Sequence, residues 1–121
     1  MVKFIRFQDL LDNMKCPPEM QECLKVVFNL SKAESEVLYY ICNNDCRITE
    51  MADDLEKDRS TVQRYVKKLC DYDLVQREGK TGESPGRHFE YTVKDKDLLK
   101  SRIKERLDEW RDERLEDLEE L

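Results

Sequence analysis

Glycine is scarce in this sequence, and its placement limits the architectures open to the chain. All three glycines, Gly79, Gly82 and Gly86, fall within one eight-residue stretch, with Pro85 among them. The other two prolines, Pro17 and Pro18, are adjacent. Glycine and proline are the strongest local punctuators of a fold. A chain with only two such breaks must be built of long continuous elements, with one tight reversal near residue 82. At 121 residues the expectation is a single domain whose core needs neither disulfides nor metal.

Periodicity fills in the elements. Residues 4–14 read as a short amphipathic helix, interrupted by "CPP". From Glu19 to Asn29, Met20, Cys23, Leu24, Val27 and Phe28 recur on one helical face. In "LSKAESEVLYYICNN", Ser31 and Glu34 match the S-x-x-E capping box, and Val37, Leu38, Ile41 and Cys42 line one side of the helix that follows. "CRI" is a short extended link. Thr49 is placed to cap the next helix, with Glu50, Asp53 and Asp54 near its start. "EKDR" makes a turn, and Ser60 with Gln63 suggests a second capping box. Val62, Val66, Leu69 and Cys70 form an inner stripe on this helix. "LVQRE" and "RHFEYTV" read as two strands around the glycine loop, with Phe89, Tyr91 and Val93 alternating. From Asp95 to Leu121 the pattern is one helix, about 40 Å long.

Helix, extended link, helix, turn, helix, strand, loop, strand and long helix is the order of a winged helix-turn-helix. The expected fold class is mainly α with a small β-hairpin wing and a long C-terminal dimerisation helix. The boundaries divide the chain into an N-terminal helical segment (1–29), the winged helix-turn-helix (30–93) and the dimerisation helix (94–121).

The formal charge of −6 argues against a nucleic-acid partner only if charge is evenly spread. It is not. Residues 59–88 hold seven cations (Arg59, Arg64, Lys67, Lys68, Arg77, Lys80 and Arg87) against four anions. An electrostatic footprint belongs to a face rather than to a whole chain. With Val62, Val66 and Leu69 inward, helical spacing turns Ser60, Thr61, Gln63, Arg64, Lys67 and Lys68 outward. These hydroxyls, amide and cations suit a helix that enters a DNA major groove. The glycine loop with Lys80 and Arg87 would be the wing along the backbone.

The stretch "EMADDLEKDRSTVQRYVKKLCDYDLVQRE" resembles the winged helix-turn-helix of prokaryotic transcription regulators, especially the archaeal TrmB-like group and the related MarR group. The resemblance rests on Ala52 inside the first helix of the motif, Leu55 before its turn, "DRSTVQR", Leu69, and "LVQRE" running into the wing. It covers roughly residues 30–93. The family usually carries a glycine and an apolar residue in the turn, where this chain has Glu56 and Lys57. The resemblance implies DNA contacts by Arg59, Ser60, Thr61, Gln63, Arg64, Lys67 and Lys68, with Lys80 and Arg87 in the wing. Full-length TrmB proteins also carry a C-terminal sugar-binding domain. Residues 94–121 are too few for one, so sugar sensing is not expected.

In the last helix, Leu99, Ile103, Leu107, Trp110, Arg114, Leu118 and Leu121 follow 4-4-3 spacing, which keeps a stripe on one side of a nearly straight helix. The expectation is a homodimer with Leu99, Ile103, Leu107, Trp110 and Leu118 at its interface, reading an inverted repeat with half-sites one helical turn apart.

No enzyme constellation is present. The lone His88 lacks the neighbours that nucleophilic catalysis needs, and no cofactor is expected. A zinc site from Cys42, Cys46, Cys70 and His88 is a minor alternative. The five cysteines are read as thiols, with redox control through Cys16 and Cys23 as a further expectation. No apolar run approaches a membrane span, and the start lacks a signal-peptide block. A cytoplasmic protein is expected, bound to double-stranded DNA and not to membrane, its effector unspecified. The rival class is a winged helix that docks a component of the transcription or replication machinery. An RNA binder is disfavoured because the sheet lacks stacking aromatics.

Overall fold

A computed structural model describes residues 15–81 and 87–121, with the side chains of residues 80, 81, 87 and 88 outside that description. The helix expected over residues 4–14 and the glycine loop at 82–86 therefore lie outside the described residues. The elements in order are α1 (Pro18–Phe28), α2 (Lys32–Asn43), α3 (Ile48–Asp54), α4 (Arg59–Asp71), β1 (Gln76–Thr81), β2 (Arg87–Thr92) and α5 (Lys96–Glu119). This is a winged helix-turn-helix with a two-stranded antiparallel wing and a long last helix.

Local code sets most of the boundaries. Ser31 accepts the Glu34 amide and Glu34 takes the Ser31 amide, so the capping box is fully formed. The other two caps fall differently. Helix α3 begins at Ile48 after Arg47, and α4 at Arg59 after Asp58, neither with a side-chain cap. Thr49 and Ser60 thus lie inside their helices. Asp95 caps α5 through the amides of Asp97 and Leu98.

Three helices end in a left-handed residue without using glycine: Asn29 (φ 56°), Glu56 (φ 54°) and Asp73 (φ 58°). In each case the next amide reaches back five or six residues, from Leu30 to Leu24, Lys57 to Ala52 and Leu74 to Leu69. Asn and Asp tolerate this region. Glu does so less readily, so the turn between α3 and α4 carries a small strain at the position where the glycine is usual.

The core gathers one face of each element. Leu24, Val27 and Phe28 from α1 meet Val37, Leu38 and Ile41 from α2, Met51 and Ala52 from α3, and Val62, Val66 and Leu69 from α4. Each fully buried aliphatic side chain contributes about 1.5–3 kcal/mol. Leu74, Val75 and Val93 carry the core into the base of the wing. The link between α2 and α3 is extended, and Cys46 exchanges both backbone hydrogen bonds with Tyr91, which pins β2 to the helical body.

Helix α5 corrects one expectation. Leu99 is buried in the chain's own core and Ile103 packs against it. These two residues hold α5 to α1 and α2, so they are not free for a dimer interface. The Arg106 guanidinium then donates to the Val27 carbonyl through Nε and Nη2 and lies 5.4 Å from the Phe28 ring centre. Beyond Arg106 the helix leaves the domain, with Leu107, Trp110, Leu115 and Leu118 exposed.

Candidate nucleic-acid interface

Helix α4 is two-sided. Val62, Val66 and Leu69 are buried, while Arg59, Ser60, Gln63, Arg64 and Lys67 are exposed on the other side and Thr61 is half-buried. Lys67 pairs with Asp71 at 3.2 Å across one turn, both well exposed. Such a pair is worth little, so the Lys67 ammonium can be transferred to a phosphate at small cost.

Lys68 departs from the expected role. Its ammonium donates to the Asn29 carbonyl at 2.6 Å and to Glu34 Oε1 at 3.0 Å. The Glu34 side chain is only 10% exposed and that of Lys68 31%. One carboxylate therefore serves the α2 capping box and clamps α4 to α2. Burial alone would raise the Glu34 carboxyl, but the Ser31 amide and the Lys68 ammonium outweigh it and hold it below the ordinary value. The lysine is structural, because releasing it to a phosphate would leave a nearly buried carboxylate without its cation.

On the wing Arg77, counted in the sequence among the local cations without a contact role, faces the same groove as α4. Gln76 pairs with Thr92, Arg77 with Tyr91 and Gly79 with Phe89. Alternation then puts Arg77, Phe89 and Tyr91 on the sheet face whose base, Val75 and Val93, is core. The Arg77 guanidinium lies 4.4 Å from the Phe89 ring centre, a cation–π geometry. It also sits by Tyr91, whose hydroxyl is raised by burial. A groove between α4 and the wing is lined by Gln63, Lys67, Arg77 and Tyr91. It continues past Arg59 and Phe89 to Arg47 at the start of α3. Arg47 is partly exposed and 3.7 Å from Glu50. Lys80 and Arg87 are strand residues at the far end of the hairpin, facing His88 and Thr81 in register, and their side chains lie outside the described residues.

The thiols do not have the character of sensors. Cys16 is 3% exposed, and burial pushes its thiol up to about 11. Burial also raises Cys23, which is half-buried on α1. A reactive thiol needs an accessible and stabilised thiolate, so Cys16 is corrected to core filler, while Cys23 packs against the edge of the same core. Cys46 is buried at the bridge to β2, and Cys42 and Cys70 are half-buried. Among the described residues no three His, Cys, Asp or Glu side chains converge as a metal ion requires. Likewise, among them no helix is long and apolar enough to cross a membrane.

Residues 24–97 match the family model of the sugar-specific transcriptional regulator TrmB. The chain belongs to the TrmB family. It is therefore a DNA-binding transcriptional regulator by family and fold. Two Methanocaldococcus jannaschii proteins are similar to this TrmB-family chain. Uncharacterized protein MJ1082 is 28% identical over 92 residues, 75% of this chain and 76% of that protein. Uncharacterized protein MJ1503 is 31% identical over 85 residues, 69% of this chain and 64% of that protein. Among solved structures, a possible transcriptional regulator from Methanosarcina mazei Go1 superposes with a TM-score of 0.72 at 26% identity, covering 84% of this chain and 87% of that one. MarR superposes with a TM-score of 0.53 at 20% identity, over 97% of this chain and 80% of that one, a likeness of fold alone. Both likenesses cover more of the chain than residues 30–93 alone.

Proposed function

We propose that this TrmB-family regulator binds an inverted-repeat operator as a homodimer, with the outer face of α4 in the major groove. The observation that carries the reading is the division of α4: Val62, Val66 and Leu69 are buried while Arg59, Ser60, Gln63, Arg64 and Lys67 stay exposed beside Arg77. Gln63 and Arg64 suit base edges, as amide and guanidinium groups can each make paired hydrogen bonds there. Arg59, Lys67 and Arg77 suit phosphates, as do Lys80 and Arg87 further along the wing. Ser60 and Thr61 sit in the first turn of α4, where hydroxyls and free amides meet a phosphate. Lys68 is withdrawn from the contact set. The dimer reading rests on Leu107, Trp110 and Leu118, apolar side chains on a helix that has left its own domain. Thiol control and sugar specificity are not part of the proposal.

Fluorescence anisotropy with random-sequence duplex DNA, titrated with salt, separates this from protein docking. A DNA reader loses affinity steeply with salt, with a slope of about −0.9 per phosphate contacted. A docking module shows weak binding and little slope, and that result would overturn the proposal. Selection from random duplexes then tests symmetry, since a dimer enriches an inverted repeat and a monomer a single half-site.

A further inference from the structure

The wing carries one large apolar side chain on the face proposed for DNA. Phe89 on β2 is 40% exposed. Its cross-strand partner is Gly79, which has no side chain to cover the ring, and the Arg77 stack comes from the diagonal position. A single exposed apolar residue is ordinary on a protein surface. Phe89 is set apart by its place. It borders a hollow of about 280 Å³ between the start of α3, the first turns of α4 and β2. Ile48 and Tyr91 supply the rest of the apolar lining, and Arg47, Arg59 and Gln63 stand beside them.

Charge and chemistry narrow what can enter. Among the described residues that line this hollow none is acidic, whereas the groove toward the end of α4 holds Asp71 and Asp73. The first half of α4 is therefore the part a polyanion can approach most closely. In a DNA major groove the apolar group on a base-pair edge is the C5 methyl of thymine. It lies next to O4, an acceptor to which the Gln63 amide can donate from the same hollow. A cytosine in that place presents an amino group instead of the acceptor and has no methyl.

We infer that Phe89 is a specificity-determining residue: with Ile48 it receives the methyl of one thymine per bound copy, while Gln63 donates to O4 of the same base. The inference rests on the α4 reading above and adds the base that is chosen and the wing residue that chooses it. The Arg77–Phe89 stack then has two uses. It sets the guanidinium beside the groove, and it covers part of the ring while leaving the rest for the methyl. Sequence choice is thus shared between α4 and the wing.

Deoxyuridine substitution tests it, because it removes the methyl and leaves O4 and the base pairing intact. A duplex enriched from random sequences by the full chain is remade with each thymine replaced in turn, and binding is followed by fluorescence anisotropy. One position per bound copy should weaken binding about four-fold, the worth of one buried methyl. Phe89→Ala should bind the unmodified duplex about four-fold less tightly or worse, and show no further loss at that position, since the two changes remove one contact. Phe89→Leu, which keeps an apolar body on the strand, should remain sensitive to the same substitution. A parent protein indifferent to every substitution, or a Phe89→Ala variant as sensitive as the parent, would overturn the inference and leave the α4 reading intact. An equal loss by Phe89→Ala on all duplexes, with its sensitivity to deoxyuridine kept, would make the ring a sugar contact or a support for Arg77 and would overturn it too. If the parent bound no duplex in a salt-dependent way, the α4 reading and the inference would fall together.

Discussion

Replacing Lys68 with Met separates a structural lysine from a DNA contact. The substitution keeps the aliphatic stem and removes two charge-assisted hydrogen bonds, 2.6 Å to the Asn29 carbonyl and 3.0 Å to Glu34. Glu34 keeps the Ser31 amide at 2.7 Å but loses its cation in a site where its side chain is 10% exposed. Hydrogen bonds to charged groups contribute about 1.5–3 kcal/mol, and breaking a fully buried pair costs about 3–5. Because the Lys68 side chain is 31% exposed, solvent screening brings the expected loss to about 2 kcal/mol. In urea monitored by circular dichroism that is a midpoint lowered by about 1 M.

The sign with pH follows from Glu34. Its carboxyl is held below the ordinary value when folded. Its contribution is therefore present above the unfolded value, near 4.3, and is lost as pH falls through the folded one. The variant should lose less stability than the parent across that acid window. The salt slope of duplex binding should be unchanged in Lys68→Met and should fall by about 0.9 in Lys67→Ala. If Lys68→Met unfolded at the parent's urea concentration and lost about 0.9 of slope, the ion pair would be inconsequential and the lysine a phosphate contact.

Glu56→Gly should stabilise the fold by about 0.5–1 kcal/mol, read as a raised urea midpoint, because φ is 54° there and glycine enters that region without penalty. Leu99→Ala should cost about 2–4 kcal/mol of domain stability, since the residue lies in the chain's own core. Trp110→Ala should leave that stability nearly unchanged and shift sedimentation toward monomer, since Trp110 is exposed and outside the core. Cys16, pushed up to about 11, and Cys46, pushed up to about 12, should resist a thiol reagent at pH 8 until the protein unfolds.

What could be read in advance was written in local code. The Ser31–Glu34 box, the Val62–Val66–Leu69 stripe and the clustering of glycine each depend on residues a few positions apart, and they placed α2, α4 and the wing. Contacts between distant residues were illegible. Glu34 already had a complete local explanation as a capping residue, and nothing in spacing shows that Lys68, 34 positions later, reaches the same oxygen. Arg77 and Phe89 lie diagonally across the hairpin, so their stacking emerges only once the register is known. Thr49 and Ser60 had the right chemistry for caps but lie two positions after the N-caps Arg47 and Asp58, an ambiguity inherent where several polar residues precede a helix. The 4-4-3 stripe of α5 was continuous in sequence but serves two purposes. Its first two members close this chain's core, and only the later ones remain exposed.

The most direct test of the α4 assignment is a titration of ¹⁵N-labelled protein with an operator-length duplex, following backbone and Arg and Gln side-chain resonances. The largest changes should fall on Arg59, Ser60, Gln63, Arg64, Lys67 and Arg77, with Lys68 and Glu34 little moved. Changes confined to α1 or to the exposed half of α5, with α4 undisturbed, would contradict it.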